Sequence, residues 1–226
     1  MRRMGVMAVA LTAVLAVGCN RDNRAANDSA VGTAGRADSK VGMGDRDFIR
    51  DVATMNMAEI ELSRTAAQKS ASADVKKFAD MMVADHNAAG DKLKAFATQH
   101  QVELPAQLDD KHRDKGEKLA AKQGLEFDKD YTEAMADGHQ DFVDKLESRI
   151  DKDTLSKWKT DYQTRTASGT EKTKAEIEAV AVVAEKSDDP ITMGLNQWAA
   201  DTYPVAYAHL EAAKALRDAV RKRSTN

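Results

Sequence analysis

The chain has 226 residues, with 34 lysines and arginines against 37 aspartates and glutamates, a net charge of -3 when histidines are neutral. That balance does not suggest a nucleic-acid protein, and 31% charged residues with 5% aromatics and three prolines favour helices over strands. A single cysteine excludes an intramolecular disulfide and a thiolate metal cluster.

Arg2 and Arg3 precede an apolar run from Gly5 to Val17 that ends at Gly18-Cys19. A run of this length reads as a secretory signal and is too short for a membrane span. The segment Leu15-Ala16-Val17-Gly18-Cys19 resembles a bacterial lipoprotein signal, with Ala16 where a leucine normally stands three before the cysteine. The resemblance implies that residues 1–18 are removed and that Cys19, lipidated, becomes the first mature residue and anchors the chain to a membrane. Asn20, in place of an aspartate, implies an outer-membrane lipoprotein facing the periplasm; an unmodified Cys19 would instead leave the protein secreted to the periplasm. Losing Arg2 and Arg3 takes the 34 basic residues to 32 against 37 acids, a net charge near -5. Residues 19–44 hold Val31, Val41 and Met43 as their only large apolar side chains, which reads as a flexible tether. The bundle domain is assigned to 45–226, about 180 residues and enough for one sizeable core.

Hydrophobic period then predicts an all-α domain. A first helix runs from about Asp45 to Lys69 on the stripe Phe48, Val52, Met55, Glu59, Leu62, Ala66. Ser72 or Asp74 can cap a second, which continues to about His100 on Val75, Ala79, Met82, His86, Ala89, Leu93, Phe96. So short a loop makes the two antiparallel. Residues 105–124 predict a minor solvated helix around Leu108 and Leu119. A third core helix starts near Leu125 or Phe127 and carries Met135, His139, Phe142, Leu146. Residues 147–189 show helical patterning of their own, Leu155, Trp158, Tyr162, then Ile177, Val180, Ala184, with a break at Gly169. The last core helix occupies roughly Ile191 to Lys222 on Leu195, Trp198, Thr202, Val205, His209, Leu216, Val220. Pro204 inside it predicts a kink or a restart one turn before His209. Basic residues in its last turns suit the negative end of the helix dipole.

Four ionisable residues sit on these apolar seams, Glu59, His86, His139 and His209, one per core helix. Burying such groups without partners costs several kcal/mol, so they are paired, hydrogen-bonded or bound to a metal. Glu59 and His86 lie roughly 18 and 22 Å from the turn between their helices, at about 1.5 Å per residue, close enough to share a layer. Three imidazoles and a carboxylate form a nitrogen and oxygen set that suits zinc, copper, nickel or ferrous iron. A buried network joining Glu59 to protonated histidines would also satisfy every group. Asp85 can turn inward as the partner of a metal-bound imidazole, or stay a solvated acid. Met55, Met82 and Met135 each stand four residues before a seam residue, where thioether sulfur would favour Cu(I) or simply fill the core. His100 and His112 are expected to be exposed. The chain has no Gly-rich phosphate loop and no G-x-S-x-G motif.

Met57-Ala58-Glu59-Ile60-Glu61-Leu62, Phe78 through His86, Phe127-Asp128 with Tyr131, Met135 and His139, and Tyr203-Pro204 with His209-Leu210 together resemble the bacterial envelope family called domain of unknown function 4142. The resemblance implies a ferritin-like antiparallel four-helix bundle, here with an extra helical segment between the third and fourth core helices, and implies no set activity. Ferritin-like di-iron proteins use Glu-x-x-His on two helices, whereas Val83, Ala136 and Ala206 stand three before His86, His139 and His209. Two readings stay open. One is a lipid-anchored, periplasm-facing bundle binding a transition metal through Glu59, His86, His139 and His209, with Asp85 behind them. The other is a non-enzymatic structural or interaction lipoprotein whose polar cluster is only structural. A third, weaker one makes the extra segment a binder of lipid or an apolar ligand.

Overall fold

The computed structural model describes residues 41–166 and 182–223. The proposed signal peptide, Cys19 and the tether up to residue 40 lie outside the described residues, as do Gly169, Ile177 and Val180. Six helices are described: α1 (Met43–Lys69), α2 (Ala73–Gln99), α3 (Asp110–Ala120), α4 (Gly124–Glu147), α5 (Lys152–Thr166) and α6 (Pro190–Arg223). Among the described residues there is no strand beyond an isolated antiparallel bridge of Ile150 with Ala184. No described helix is long and apolar enough to cross a membrane.

Local chemistry sets the ends. Ser72 caps α2 by accepting from the Val75 amide, Asp109 caps α3 through the His112 amide, and Asp189 accepts from Ile191 ahead of α6. Pro190 opens α6, where its missing amide would have had no partner. Folding begins earlier than the composition suggests. Val41 is already buried and its carbonyl accepts from Arg46 Nε at 3.0 Å, so the ordered part starts before Asp45.

The four long helices pack in a ring: α1 chiefly on α2, α4 chiefly on α6, with α1 also meeting α4 and α2 meeting α6. Ser70 to Ser72 are enough to turn α1 back along α2. Arg149, just past α4, pairs with Asp45 at the start of α1 and reaches Asn196 near the start of α6. A Cβ on Gly194 would meet Phe96 near the end of α2 at 3.2 Å. Neighbours in the ring are therefore antiparallel, and α2 and α4 run the same way.

The core falls into two apolar clusters. One gathers Phe48, Val52, Leu93, Phe142, Leu146, Leu195, Tyr203 and Leu210 with Leu155 and Trp158 of α5. The other gathers Leu62, Val75, Phe78, Met82, Phe127, Tyr131, Met135 and Val220 with Leu119 of α3. The minor helix is thus not wholly solvated: Leu119 is buried. Met55 packs on the first cluster, while Met82 and Met135 belong to the second. The polar layer interrupts the seams between the two.

The extra segment is helical only in part. Helix α5 lays Trp158 against Tyr203 and Tyr207 of α6, with ring centroids 5.2 and 5.5 Å apart. Ala184 lies in the bridge with Ile150 and not in a helix, and the chain returns beside residues 149–151 through Asp151 N to Val183 O and Glu185 N to Arg149 O, each 2.9 Å. In α6 the buried stripe is Leu195, Ala199, Tyr203, Ala206, Tyr207, Leu210 and Ala213. Trp198, Thr202, Val205 and Leu216, expected on the seam, are only half-buried. Of the two alternatives at Pro204, a kink or a restart, the unbroken helix leaves only the kink.

Candidate metal centre

Glu59 of α1, His86 of α2, His139 of α4 and His209 of α6 are all buried, with 4, 4, 0 and 6% of their surfaces exposed. Each of the four core helices thus contributes one group to one layer. Glu59 Oε2 lies 3.0 Å from His86 Nε2, and Glu59 Oε1 lies 3.5 Å from His139 Nδ1. The imidazole centroids are 5.2 to 5.9 Å apart, and one ligand nitrogen from each histidine lies within 4.8 Å of the others.

The tautomers follow from the outward partners. His86 Nδ1 donates to Asn56 Oδ1 at 3.0 Å, and His139 Nδ1 donates to the Met135 carbonyl at 3.0 Å. Both acceptors lack a proton of their own, so both rings carry hydrogen on Nδ1 and a lone pair on Nε2. Those two Nε2 atoms are 3.3 Å apart. Nitrogens held about 2.0–2.1 Å from one ion at tetrahedral angles have the same separation. His209 Nε2 donates to Asp85 Oδ2 at 3.1 Å. Asp85 does turn inward, but its partner is His209 on the facing helix, not the adjacent His86.

Glu59 has two buried oxygens and neither makes a hydrogen bond. Its closeness to His86 Nε2 is a meeting of acceptors, poorly angled for a shared proton. Burial, followed by a smaller contribution from Asp141 and against the pull of Lys115, pushes its carboxyl up to about 8. Burial first, then the His209 ring, takes His86 down to about 3, and burial and its neighbours hold His139 well below the ordinary histidine range. His86 and His139 are therefore neutral at neutral pH. Neutral rings whose Nδ1 donors are engaged and whose Nε2 lone pairs meet 3.3 Å apart are in the form that binds a cation.

Two glycines make room for the layer. A Cβ on Gly138 would stand 2.8 Å from Glu59 Oε1, and one on Gly90 would stand 2.7 Å from Asn56 Nδ2. Sequence reasoning passes over both, and over Asn56. Their signal is present all the same: glycine inside a helix costs about 1 kcal/mol relative to alanine and needs a reason. Met55 and Met82 pack in the apolar clusters, and Met135 Sδ accepts from Ser63 Oγ at 3.9 Å. His100 and His112, expected to be exposed, are half-buried. His100 packs on the Phe96 ring at 4.5 Å, and His112 Nδ1 donates to Asp109 at 2.8 Å.

No curated protein and no solved structure matches this chain. The family model described as Domain of unknown function (DUF4142) matches residues 30–165, a span that takes in Glu59, Asp85, His86 and His139 and stops short of His209. With more than half of its length matched, the chain belongs to that family.

Proposed function

We propose that this protein is a lipid-anchored, ferritin-like helical bundle of the bacterial envelope that binds one transition-metal ion through His86, His139 and His209, with Glu59 supplying the negative charge. The observation that carries the reading is the count of unfilled acceptors. The Nε2 lone pairs of His86 and His139, the His209 ring and two partnerless carboxylate oxygens share one buried layer. One cation answers them together, and its charge offsets the cost of holding a carboxylate in the core.

The ferritin-like assignment is supported by the ring of antiparallel neighbours and by the parallel α2 and α4, which need one long connection between them. The reading stops at binding. Val83, Ala136 and Ala206 take the positions where a di-iron centre of that class has its bridging glutamates. The donor set suits zinc, copper, nickel or ferrous iron. Cys19 would hold the domain at the membrane, facing the periplasm.

Full-length protein purified from the envelope tests both parts. Metal analysis is expected to give one ion per chain, and Zn²⁺, Cu²⁺, Ni²⁺ or Fe²⁺ added to metal-free protein is expected to raise the melting temperature of wild type and not of His139→Ala. Protein without stoichiometric metal, stabilised by no added ion beyond that variant, would be the structural lipoprotein of the second reading. Cys19→Ser is expected to move the protein from the detergent phase to the aqueous phase; equal partitioning would remove the anchor.

A further inference from the structure

Between α2 and α6 lies a cavity of about 70 Å³ whose inner wall includes His86 and His209. Glu59 and His139 do not line it. Space thus reaches the polar layer from the side between α2 and α6, with Phe142 of α4 also on the wall. Since a water needs about 10–15 Å³ of such space, the cavity holds several waters, and it is far smaller than the roughly 300–1,000 Å³ of a pocket for a drug-sized molecule. Its walls are narrow and short-chained where Ala88 and Ala206 stand.

The charges on this cavity are Asp85, Asp201 and Lys92. Two carboxylates and one ammonium thus face the space, and a cleft whose carboxylates outnumber its ammonium groups concentrates cations. Asp201 is exposed at the outer end, and its Oδ1 accepts from Gln197 at 2.8 Å. Asp85 is deeper, its side chain 15% exposed, with one oxygen on His209. The sequence of groups from solvent inward is then a surface carboxylate, a half-buried carboxylate and a lone-pair imidazole.

We infer that the α2–α6 cavity is the route by which a hydrated divalent cation reaches the histidines, with Asp201 capturing it at the mouth. Water is shed inward as Asp85 and then His209 and His86 replace it. Lys92 opposes capture and sets its rate without touching the ion. The inference rests on the proposed metal site and adds the direction of loading to it.

Stopped-flow uptake of Co²⁺ by the metal-free full chain, followed by visible absorbance, separates the two. Asp201→Asn is expected to slow uptake severalfold and Lys92→Ala to speed it, both differences fading at high salt, with the final absorbance unchanged. Ala88→Trp, at an exposed position on the wall, is expected to slow uptake about tenfold at the same plateau. Wild-type rates in all three variants would overturn the route and leave the site standing. A lowered plateau in Asp201→Asn would make Asp201 a ligand and overturn it too. If wild type takes up no cobalt, the site fails and the route falls with it. The charge variants decide the matter even if Ala88→Trp does not fold.

Discussion

Two buried polar clusters in this bundle are built in opposite ways. At the end where α1 and α6 begin, Arg149 pairs with Asp45 and also reaches Gly44 O and Asn196; Thr192 donates to Asp45 at 2.7 Å; and Asn196 donates to Glu185 O at 2.7 Å. Arg149 also lies over the Phe48 ring at 4.5 Å. Donors and acceptors match, and the network closes. In the histidine layer the imidazole donors go to Asn56, the Met135 carbonyl and Asp85, and the Glu59 carboxyl beside them is left without a hydrogen-bond partner. The chain is able to satisfy a buried charge with its own side chains, so leaving one layer unfilled is a property of that layer. A closed network stabilises what is already there, whereas an open one gains its stability from whatever fills it.

The largest expected effect comes from relieving the open layer. Glu59 is raised from 4.5 to about 8, so in metal-free protein the native state holds a proton that the unfolded state gives up. That group's contribution is greatest below pH 4.5, falls as pH rises toward 8, and is constant above. Glu59→Gln keeps the neutral form at every pH. It is expected to stabilise metal-free protein by about 5 kcal/mol at pH 8 or above and by nothing near pH 4, since a tenfold change in proton affinity is worth about 1.4 kcal/mol. His86 works in the other direction: lowered from 6.5 to about 3, it contributes stability that is lost as pH falls through that window. His139, held well below 6.5 by burial, acts in the same sense, so the two rings together outweigh Glu59 between pH 4.5 and 6.5 and the metal-free wild type should be most stable near pH 6.5. Urea unfolding across pH reads both, and a Gln variant whose profile parallels wild type would sink the account of Glu59.

The closed network should respond with the opposite sign. Arg149→Met leaves Asp45, whose side chain is 10% exposed, without its cation. Removing one partner of a buried pair costs about 3 kcal/mol or more, with an unchanged urea slope, with or without metal. A neutral outcome would mean that Thr192 and solvent suffice for Asp45. A smaller effect sharpens the contrast at the metal site itself. At pH 7 His86 and His139 bring no proton to displace and Glu59 brings nearly one, so Glu59 should contribute about one released proton to Zn²⁺ binding, a contribution that strengthens binding about tenfold per pH unit below 8. Calorimetry in two buffers of different ionisation enthalpy measures it. Release that persists in Glu59→Gln would show the proton to come from elsewhere.

Why the open layer is legible in the sequence and the closed one is not follows from their chemistry. Glu59, His86 and His139 each fall in step with apolar neighbours three and four residues away, and a charge in a helical stripe is conspicuous wherever the stripe is complete. Asn56 is hidden beside Met55, the residue in step with that stripe. Arg149 and Asp45 lie at helix ends, where charge is ordinary and only the fold brings them together. The α6 stripe reads out of phase because its buried arc is wide: Tyr203 and Tyr207 face Trp158 of α5 as well as the core. Nothing in the period of α6 reports that a separately packed helix covers it. The end of the extra segment reads as helix because Ala184 continues a helical spacing, yet its backbone pairs with residues 149–151. All-α architecture is legible because composition and period agree along nearly the whole chain.

Glycine gives the smallest and most local contrast. Gly116 lies in α3 with nothing within 4 Å of where a Cβ would stand, while Gly138 in α4 would place one 2.8 Å from Glu59 Oε1. Alanine is favoured over glycine inside a helix by about 0.8–1 kcal/mol, through the smaller backbone entropy it loses. Gly116→Ala is expected to gain that amount. Gly138→Ala starts with the same gain and sets against it the displacement of the buried Glu59 carboxylate. Its stability should therefore be unchanged or lower in metal-free protein, and its metal affinity should fall, because the charge that complements the ion has moved. Unfolding and metal titration of the two variants side by side test whether Glu59 is held in position by the absence of a methyl group. Equal gains in both, with wild-type metal binding, would show that the carboxylate has space to spare and that the layer is looser than its distances imply.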